Sequence, residues 1–251
     1  MPIEMPTDRS RTLAETAVER ARWRVGRRLA WHQALHDPQR EPRNRSPWLP
    51  PLRRWQAARL ATGFADLLAA PRTRPAAEFF LSDLYGDHDF SGRDRDVARV
   101  VPLMLRLLPP ALLEALADAI ALGALSHAFD LRIAEALEAE GGGTLEIDQV
   151  RYARAYRQVG CPRLRRHQIA LIVRVGRTLD RAVHKQGVER LLKLSRLPAR
   201  AAGLGELQGF LERGFAAFRR LDGAEDFLQV IAGREYEVSR RLFAGHPRPF
   251  G

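Results

Sequence analysis

Apolar residues recur at three- and four-residue intervals along most of the sequence, and this spacing limits the fold more than any other feature. It places apolar side chains along one face of an α-helix. No window of four to eight residues alternates convincingly between polar and apolar side chains, as a half-buried strand would. The sequence therefore predicts an all-α fold, a single irregular bundle of about nine or ten helices.

Prolines and glycines mark where the predicted helices begin and end. A first helix is predicted from Asp8 to His36, and five prolines between residues 37 and 51 indicate an extended loop after it. Further helices are predicted at residues 52–70, 78–85, 91–108, 110–140, 147–159, 162–185, 188–197, 205–221 and 224–243. Residues 1–51, a basic helix and the proline-rich loop, are a candidate appendage, and residues 52–251 are the predicted helical bundle domain.

Length and composition predict a cytoplasmic protein. A chain of 251 residues can bury a core of its own, and a single cysteine excludes an intramolecular disulfide. The first residues lack the basic patch and apolar stretch of a secretory signal. The most apolar stretches, 111–125 and 169–175, are shorter than the ~20 residues that a membrane span requires, so no transmembrane segment is expected.

The charge of the chain is distributed unevenly. Basic residues exceed acidic ones by 11, and all but two of the 41 basic residues are arginine, which is typical of a GC-rich bacterial genome. Residues 1–60 carry a net charge of +7, residues 61–150 carry −8, residues 151–200 carry +12, and the remainder is neutral. The segment 151–200 is therefore the predicted basic surface.

A cationic stripe on the predicted helix 162–185 is the main candidate site. Six cations fall on one side of this helix, opposite its apolar residues: Arg163, Arg166, Arg174, Arg177, Arg181 and Lys185. Such a face suits an acidic protein surface or the phosphates of a nucleic acid. A solvated face, or one neutralised by the acidic middle of the chain, is the alternative.

Several short sequence patterns resemble a family of bacterial all-helical proteins of unknown function. They are FFLSDLYG at 79–86, DFS at 89–91, RDRD at 93–96, VPLM at 101–104, LLP at 107–109 and FLERGF at 210–215. The resemblance spans roughly residues 75–245. It implies a helical fold and a bacterial source, and it assigns no functional residue.

The segment 79–96 has two open interpretations. Its aromatic and acidic residues either line a pocket between helices or organise the fold by burying rings and capping turns. The residues concerned are Phe79, Phe80, Asp83, Tyr85, Asp89 and Asp94.

Three patterns approach metal or thiol chemistry, and each is incomplete. Residues 87–92 match the start of a calcium-binding loop, but Ala98 stands where a bidentate glutamate should close it. His32 and His36 are four residues apart and could face one metal ion, or they are exposed histidines at a helix end. Cys161 precedes several arginines that would lower a thiol pKa, yet no general base can be assigned to it. We therefore predict no metal, no cofactor and no catalytic residue.

The resulting prediction is a non-catalytic binding or regulatory module that meets an anionic partner through a basic helical face. One alternative is an enzyme or small-ligand binder with an interhelical pocket near residues 79–96. A second is duplex nucleic-acid binding, for which the sequence offers charge but no helix-turn-helix signature.

Overall fold

The protein is a bundle of α-helices. The computed structural model describes residues 8–84, 100–102, 105, 110–141 and 144–251. In these ranges no strand occurs, and the α-helices with described bounds are α1 (Asp8–His36), α2 (Leu49–Gly63), α3 (Ala65–Ala69), α4 (Arg74–Phe79), α5 (Pro110–Glu140), α6 (Gln149–Val159), α7 (Pro162–Val183), α8 (Val188–Ala201), α9 (Gly205–Leu221) and α10 (Glu225–Phe243). The predicted all-α fold is confirmed.

Helix bounds follow the predicted ones where proline or glycine sets them. α1, α5 and α9 coincide with their predicted ranges. α6 begins two residues later than predicted because the Asp148 carboxylate accepts the Arg151 backbone N–H at 2.7 Å and caps the helix. The predicted helix 91–108 lies mostly outside the described residues, although residues 100–102 and 105 are helical.

Three predicted boundaries beside prolines are wrong. The helix predicted at 78–85 begins at Arg74, with Pro75 in its first turn, and its second part, Phe80–Leu84, is π-helical. α2 begins at Leu49 rather than residue 52, because Pro50 and Pro51 lie in its first turn, where a missing N–H costs nothing. The predicted helix 52–70 is also interrupted at Phe64, which leaves the helical conformation. α8 continues to Ala201 rather than stopping before Pro198, and the Ala202 N–H donates to the Pro198 carbonyl at 3.0 Å.

Helix α5 lies at the centre of the bundle and packs against α1, α2, α6 and α7. Residues Leu112–Glu140 of α5 are long and apolar enough to cross a membrane, and 44% of the apolar window is buried in the protein. A helix that is apolar on most sides is found either in a large protein core or in a membrane. The absence of a transmembrane segment stays a prediction.

Helix α1 lies along α5. Ala21 and Val25 of α1 are fully buried in a cluster with Leu113 and Ala117 of α5. The predicted boundary between residues 51 and 52 falls inside α2. The assignment of residues 1–51 as an appendage stays a prediction.

The largest core cluster joins α2, α3, α4, α7, α9 and α10. Helices α7 and α10 approach closely at Gly176, where an added Cβ would overlap the side chain of Leu228. This close packing fixes the position of α7 and therefore of its cationic side.

Candidate functional site

Helix α7 is strongly amphipathic, and this orients the predicted cationic stripe. Pro162 opens the helix, where its fixed φ and missing N–H are tolerated. The buried side of α7 includes Ile169, Ile172 and Val183. All six predicted cations, from Arg163 to Lys185, are exposed on the other side.

Carboxylates on other helices pair with the two arginines in the middle of this stripe. Arg174 Nε lies 2.9 Å from Asp118 Oδ2 on α5, and Arg28 on α1 binds the other oxygen of Asp118 at 3.0 Å. Arg177 donates two hydrogen bonds to Glu225, at 2.8 and 2.5 Å. These hydrogen bonds lower the pKa of Glu225 to about 2. Internal neutralisation, the alternative to a functional face, therefore applies to these two arginines.

The remaining four cations of the stripe form no ion pair with a carboxylate in the part of the chain that the structure describes. They are Arg163, Arg166, Arg181 and Lys185. Arg181 donates a hydrogen bond of 3.2 Å to the Thr178 hydroxyl, which leaves its charge in place. The unneutralised charge therefore lies at the two ends of α7.

At the C-terminal end of α7 the cations surround a cleft of about 500 Å³. The cleft lies at the turn into α8, where Gly187 adopts a positive φ of 85°. Four cations line it, and we call this site the cationic cleft: Lys185, Arg190, Lys193 and Arg219. Lys185 belongs to both the cleft and the stripe, so the two surfaces are continuous.

Glu189 is the carboxylate among the residues lining the cationic cleft. Lys193 Nζ donates to it at 2.7 Å, and Arg219 binds its other oxygen. The hydrogen bond from Lys193 is the main cause of the lowered pKa of Glu189. Because one carboxylate faces four cations, the cleft keeps a positive charge that an anion would offset.

The segment that begins at Phe79 is part of the core where the structure describes it. Phe79 and Phe80 are each 6% exposed. The Phe79 ring lies 5.3 Å from the Phe210 ring and covers Gly214 of α9. Neither ring lines the cationic cleft or the second cleft described below. Their burial agrees with the interpretation of the segment as an organiser of the fold.

The side chains of the other four predicted residues of this segment lie outside the described part of the structure. Tyr85, Asp89 and Asp94 lie outside the described residues, and so does the partial calcium-loop pattern at 87–92. Asp83 lies in a π-helical turn, Phe80–Leu84, and only the backbone of Asp83 is described.

The interpretation of His32 and His36 as exposed histidines at a helix end is wrong. Both are half-buried, and their rings stack with centroids 4.1 Å apart. The His36 ring stacks in turn on His127 of α5, at 4.0 Å. Stacking holds the three rings nearly parallel, and the described residues contain no group of three or more side chains suited to a metal ion.

His127 belongs to a buried polar network that sequence reasoning missed. Its Nε2 lies 2.8 Å from Asn44 Oδ1, and its Nδ1 lies 3.1 Å from Arg53 Nη2. Since arginine only donates and this amide oxygen only accepts, His127 is neutral with its proton on Nε2. Burial, His36 and Arg53 together lower the pKa of His127 to about 3.

Asp130 and Arg165 extend this network into the core. Asp130 accepts a hydrogen bond from Gln56 at 3.2 Å, and burial raises its pKa. Arg165 of α7 is 7% exposed, and its guanidinium lies over the Phe129 ring at 3.5 Å and the Tyr156 ring at 4.4 Å. Its Nε and Nη2 have no hydrogen-bond partner among the described residues. The polar residues His127 and Asp130 within the otherwise apolar α5 are the feature of the sequence that could have predicted this network.

Cys161 is half-buried and adopts a left-handed conformation, with φ 62°, before α7. Its Sγ lies 3.6 Å from Arg132 Nη1. No histidine or carboxylate contact to the thiol is present among the described residues, so the structure adds no general base to it.

A second cleft, also of about 500 Å³, lies between α2 and α10. Trp55, Phe64 and Phe250 supply apolar lining. Arg59 and Glu235 form a half-buried ion pair at its side, with N–O distances of 2.5 and 3.1 Å. This cleft is an interhelical pocket among the described residues. A pocket lined by residues 79–96 stays a prediction, because most of that segment lies outside the described residues.

Comparison with known proteins adds a family and no activity. A family model described as a domain of unknown function, DUF8198, matches residues 35–249. No curated protein and no solved structure matches the chain. The match extends beyond the predicted range of 75–245 and includes the whole proline-rich loop, residues 37–51.

Proposed function

The chain belongs to the DUF8198 family, and we propose that it is a non-catalytic binding module that meets an anionic partner through a basic helical surface. The observation that carries this proposal is the cationic cleft, where four cations face one carboxylate. We place the protein in the bacterial cytoplasm, in accord with its arginine-rich composition and single cysteine.

The arrangement of carboxylates supports binding at the end of α7 rather than along its whole length. Arg174 and Arg177 are occupied by Asp118 and Glu225, so an incoming anion would compete with existing partners there. Lys185 and Arg190 have no such competitor among the described residues. An anion therefore gains more from the cleft than from the middle of the stripe.

An acidic protein surface and a nucleic acid both offer suitable anions. Duplex nucleic acid would interact through its phosphates, because the site presents cations and no recognition helix that the sequence identifies. No Phe, Tyr or Trp side chain lines the cleft, so the large aromatic surfaces that stack on single-stranded bases are absent there.

A small-ligand binder is the second candidate, and the cleft between α2 and α10 supports it. Trp55, Phe64 and Phe250 give that cleft the mixed apolar and polar lining that ligand sites share. All of its nearby arginines already face carboxylates: Arg59 faces Glu235, Arg234 faces Asp66 and Arg241 faces Glu237. It therefore lacks the free charge that distinguishes the cationic cleft.

Salt dependence of binding tests the main proposal. We expect the protein to bind a short DNA duplex or polyglutamate, measured by fluorescence anisotropy, with affinity that falls steeply as salt rises. For the duplex, displacement of counterions by about three uncompensated cations gives a log–log slope of roughly −3. No binding to either polyanion at low salt, or binding indifferent to salt, would contradict the proposal.

A further inference from the structure

Helix α8, which forms one wall of the cationic cleft, also exposes two large apolar side chains. Leu194 is 66% exposed and Leu197 is 76% exposed, the highest values among the large apolar residues of the described chain. An isolated exposed leucine needs no explanation, but two on adjacent turns of one helix form a ridge.

The opposite side of α8 is already occupied by α9. Gln208 of α9 donates to the Leu192 carbonyl at 2.7 Å and accepts from the Ser195 hydroxyl at 3.2 Å. Leu192 and Val188 pack into the main core cluster. At 3.6 residues per turn, Leu197 falls directly opposite Val188, so the leucine ridge faces away from the bundle.

Cations flank this ridge. Helix α8 carries four of them: Arg190, Lys193, Arg196 and Arg200. Glu189 pairs with Lys193 and Glu212 of α9 pairs with Arg196, so Arg190 and Arg200 keep their charge. Arg190 lies one turn before Leu194 and, at 3.6 residues per turn, projects from the same outward side of the helix. It forms no ion pair with any carboxylate in the described ranges. Helix α8 is therefore apolar and positively charged on the same outward surface.

This combination matches the interface of an anionic bilayer. A surface helix buries leucines at the boundary of headgroups and acyl chains, while long basic side chains reach the lipid phosphates. A nucleic acid backbone offers the leucines no apolar surface. A partner that engulfs a helix in a groove would need sides of α8 that α9 already covers, whereas a flat bilayer needs only the outward side.

We infer that α8 is a membrane-surface helix that docks the protein on an anionic lipid leaflet. Leu194 and Leu197 enter the headgroup boundary, and the unpaired cations of α8 and of the cationic cleft, Lys185, Arg190 and Arg200, bind lipid phosphates. The inference rests on the proposed function, since it names the partner of the same basic surface as an anionic membrane.

Co-sedimentation of the full chain with lipid vesicles tests this inference. We expect binding to vesicles that contain phosphatidylglycerol and little binding to pure phosphatidylcholine. The double substitution Leu194→Ser with Leu197→Ser should lower partitioning about tenfold or more, because two leucines no longer leave water. The matched control is Leu145→Ser in the loop between α5 and α6, where Leu145 is 48% exposed, and it should leave partitioning unchanged.

A second variant separates charge from apolar contact. Arg190→Gln with Arg200→Gln should also lower binding to anionic vesicles and keep the leucines in place. Vesicle binding that both double variants retain in full would overturn the inference. If the protein binds the DNA duplex or polyglutamate but no vesicle, the inference is wrong and the proposed function stands. If it binds neither polyanions nor vesicles, both are wrong.

Discussion

Arg165, in the first turn of α7, and Lys185, two residues beyond its last turn, lie in opposite environments. Arg165 is enclosed between the Phe129 and Tyr156 rings, with two nitrogens that lack an acceptor among the described residues. Lys185 is exposed at a cleft where cations outnumber carboxylates. The comparison shows that two side chains of equal charge have different roles. A buried cation acts on the stability of the fold, whereas an exposed and unpaired one is available to a partner.

The largest expected effect is a loss of stability on substitution of the buried Arg165. Arg165→Ala removes both ring contacts and leaves Asp130 with one cation fewer, so we expect a loss of about 3–5 kcal/mol in the free energy of unfolding. Arg165→Met fills similar space without burying unsatisfied donors, and it should cost much less. Urea denaturation of both variants measures the difference. Equal losses would show that the charge, and not the filled volume, dominates this site.

A smaller loss of stability is expected when the pH falls, and His127 is its cause. The pKa of His127 is about 3 in the folded protein and 6.5 in its ordinary state. Between these values the unfolded chain binds a proton that the folded chain excludes, so stability falls as pH drops below 6.5. The expected loss from this group is about 2 kcal/mol between pH 7 and pH 5.

The variant His127→Gln isolates this contribution, because glutamine can accept from Arg53 and donate to Asn44 without titrating. Denaturation at the two pH values should show a weaker pH dependence for the variant than for the original protein. An unchanged pH dependence would mean that His127 is protonated in the folded state, and that its described hydrogen bonds are not maintained in solution.

The sequence predicted the helices well because their ends are set locally. Pro110 and the glycines after Glu140 delimit α5, and the amphipathic spacing of α7 separates its cations from its apolar residues. Where prolines fall in a first turn, as at Pro50, or inside a continuing helix, as at Pro198, the same local signal misplaced the boundary.

The candidate site was predictable only in part, because it depends on contacts between distant residues. The spacing identified the six cations of the stripe. It could not show that Asp118 and Glu225 would pair with two of them. Arg165 looks like its neighbours Arg163 and Arg166 in the sequence, yet only Arg165 points into the core. Ion pairs between helices depend on how the helices pack, and the residue spacing within one helix does not predict that packing.

The most direct test of the account compares the cationic cleft with the middle of the stripe. One double variant, Lys185→Gln with Arg190→Gln, and its control, Arg174→Gln with Arg177→Gln, each remove two positive charges. We expect the first to weaken binding to the DNA duplex, polyglutamate or anionic vesicles by roughly tenfold. The control should change affinity far less, because its arginines are already paired. Equal losses, or a larger loss in the control, would contradict the claim that the cleft is the binding site.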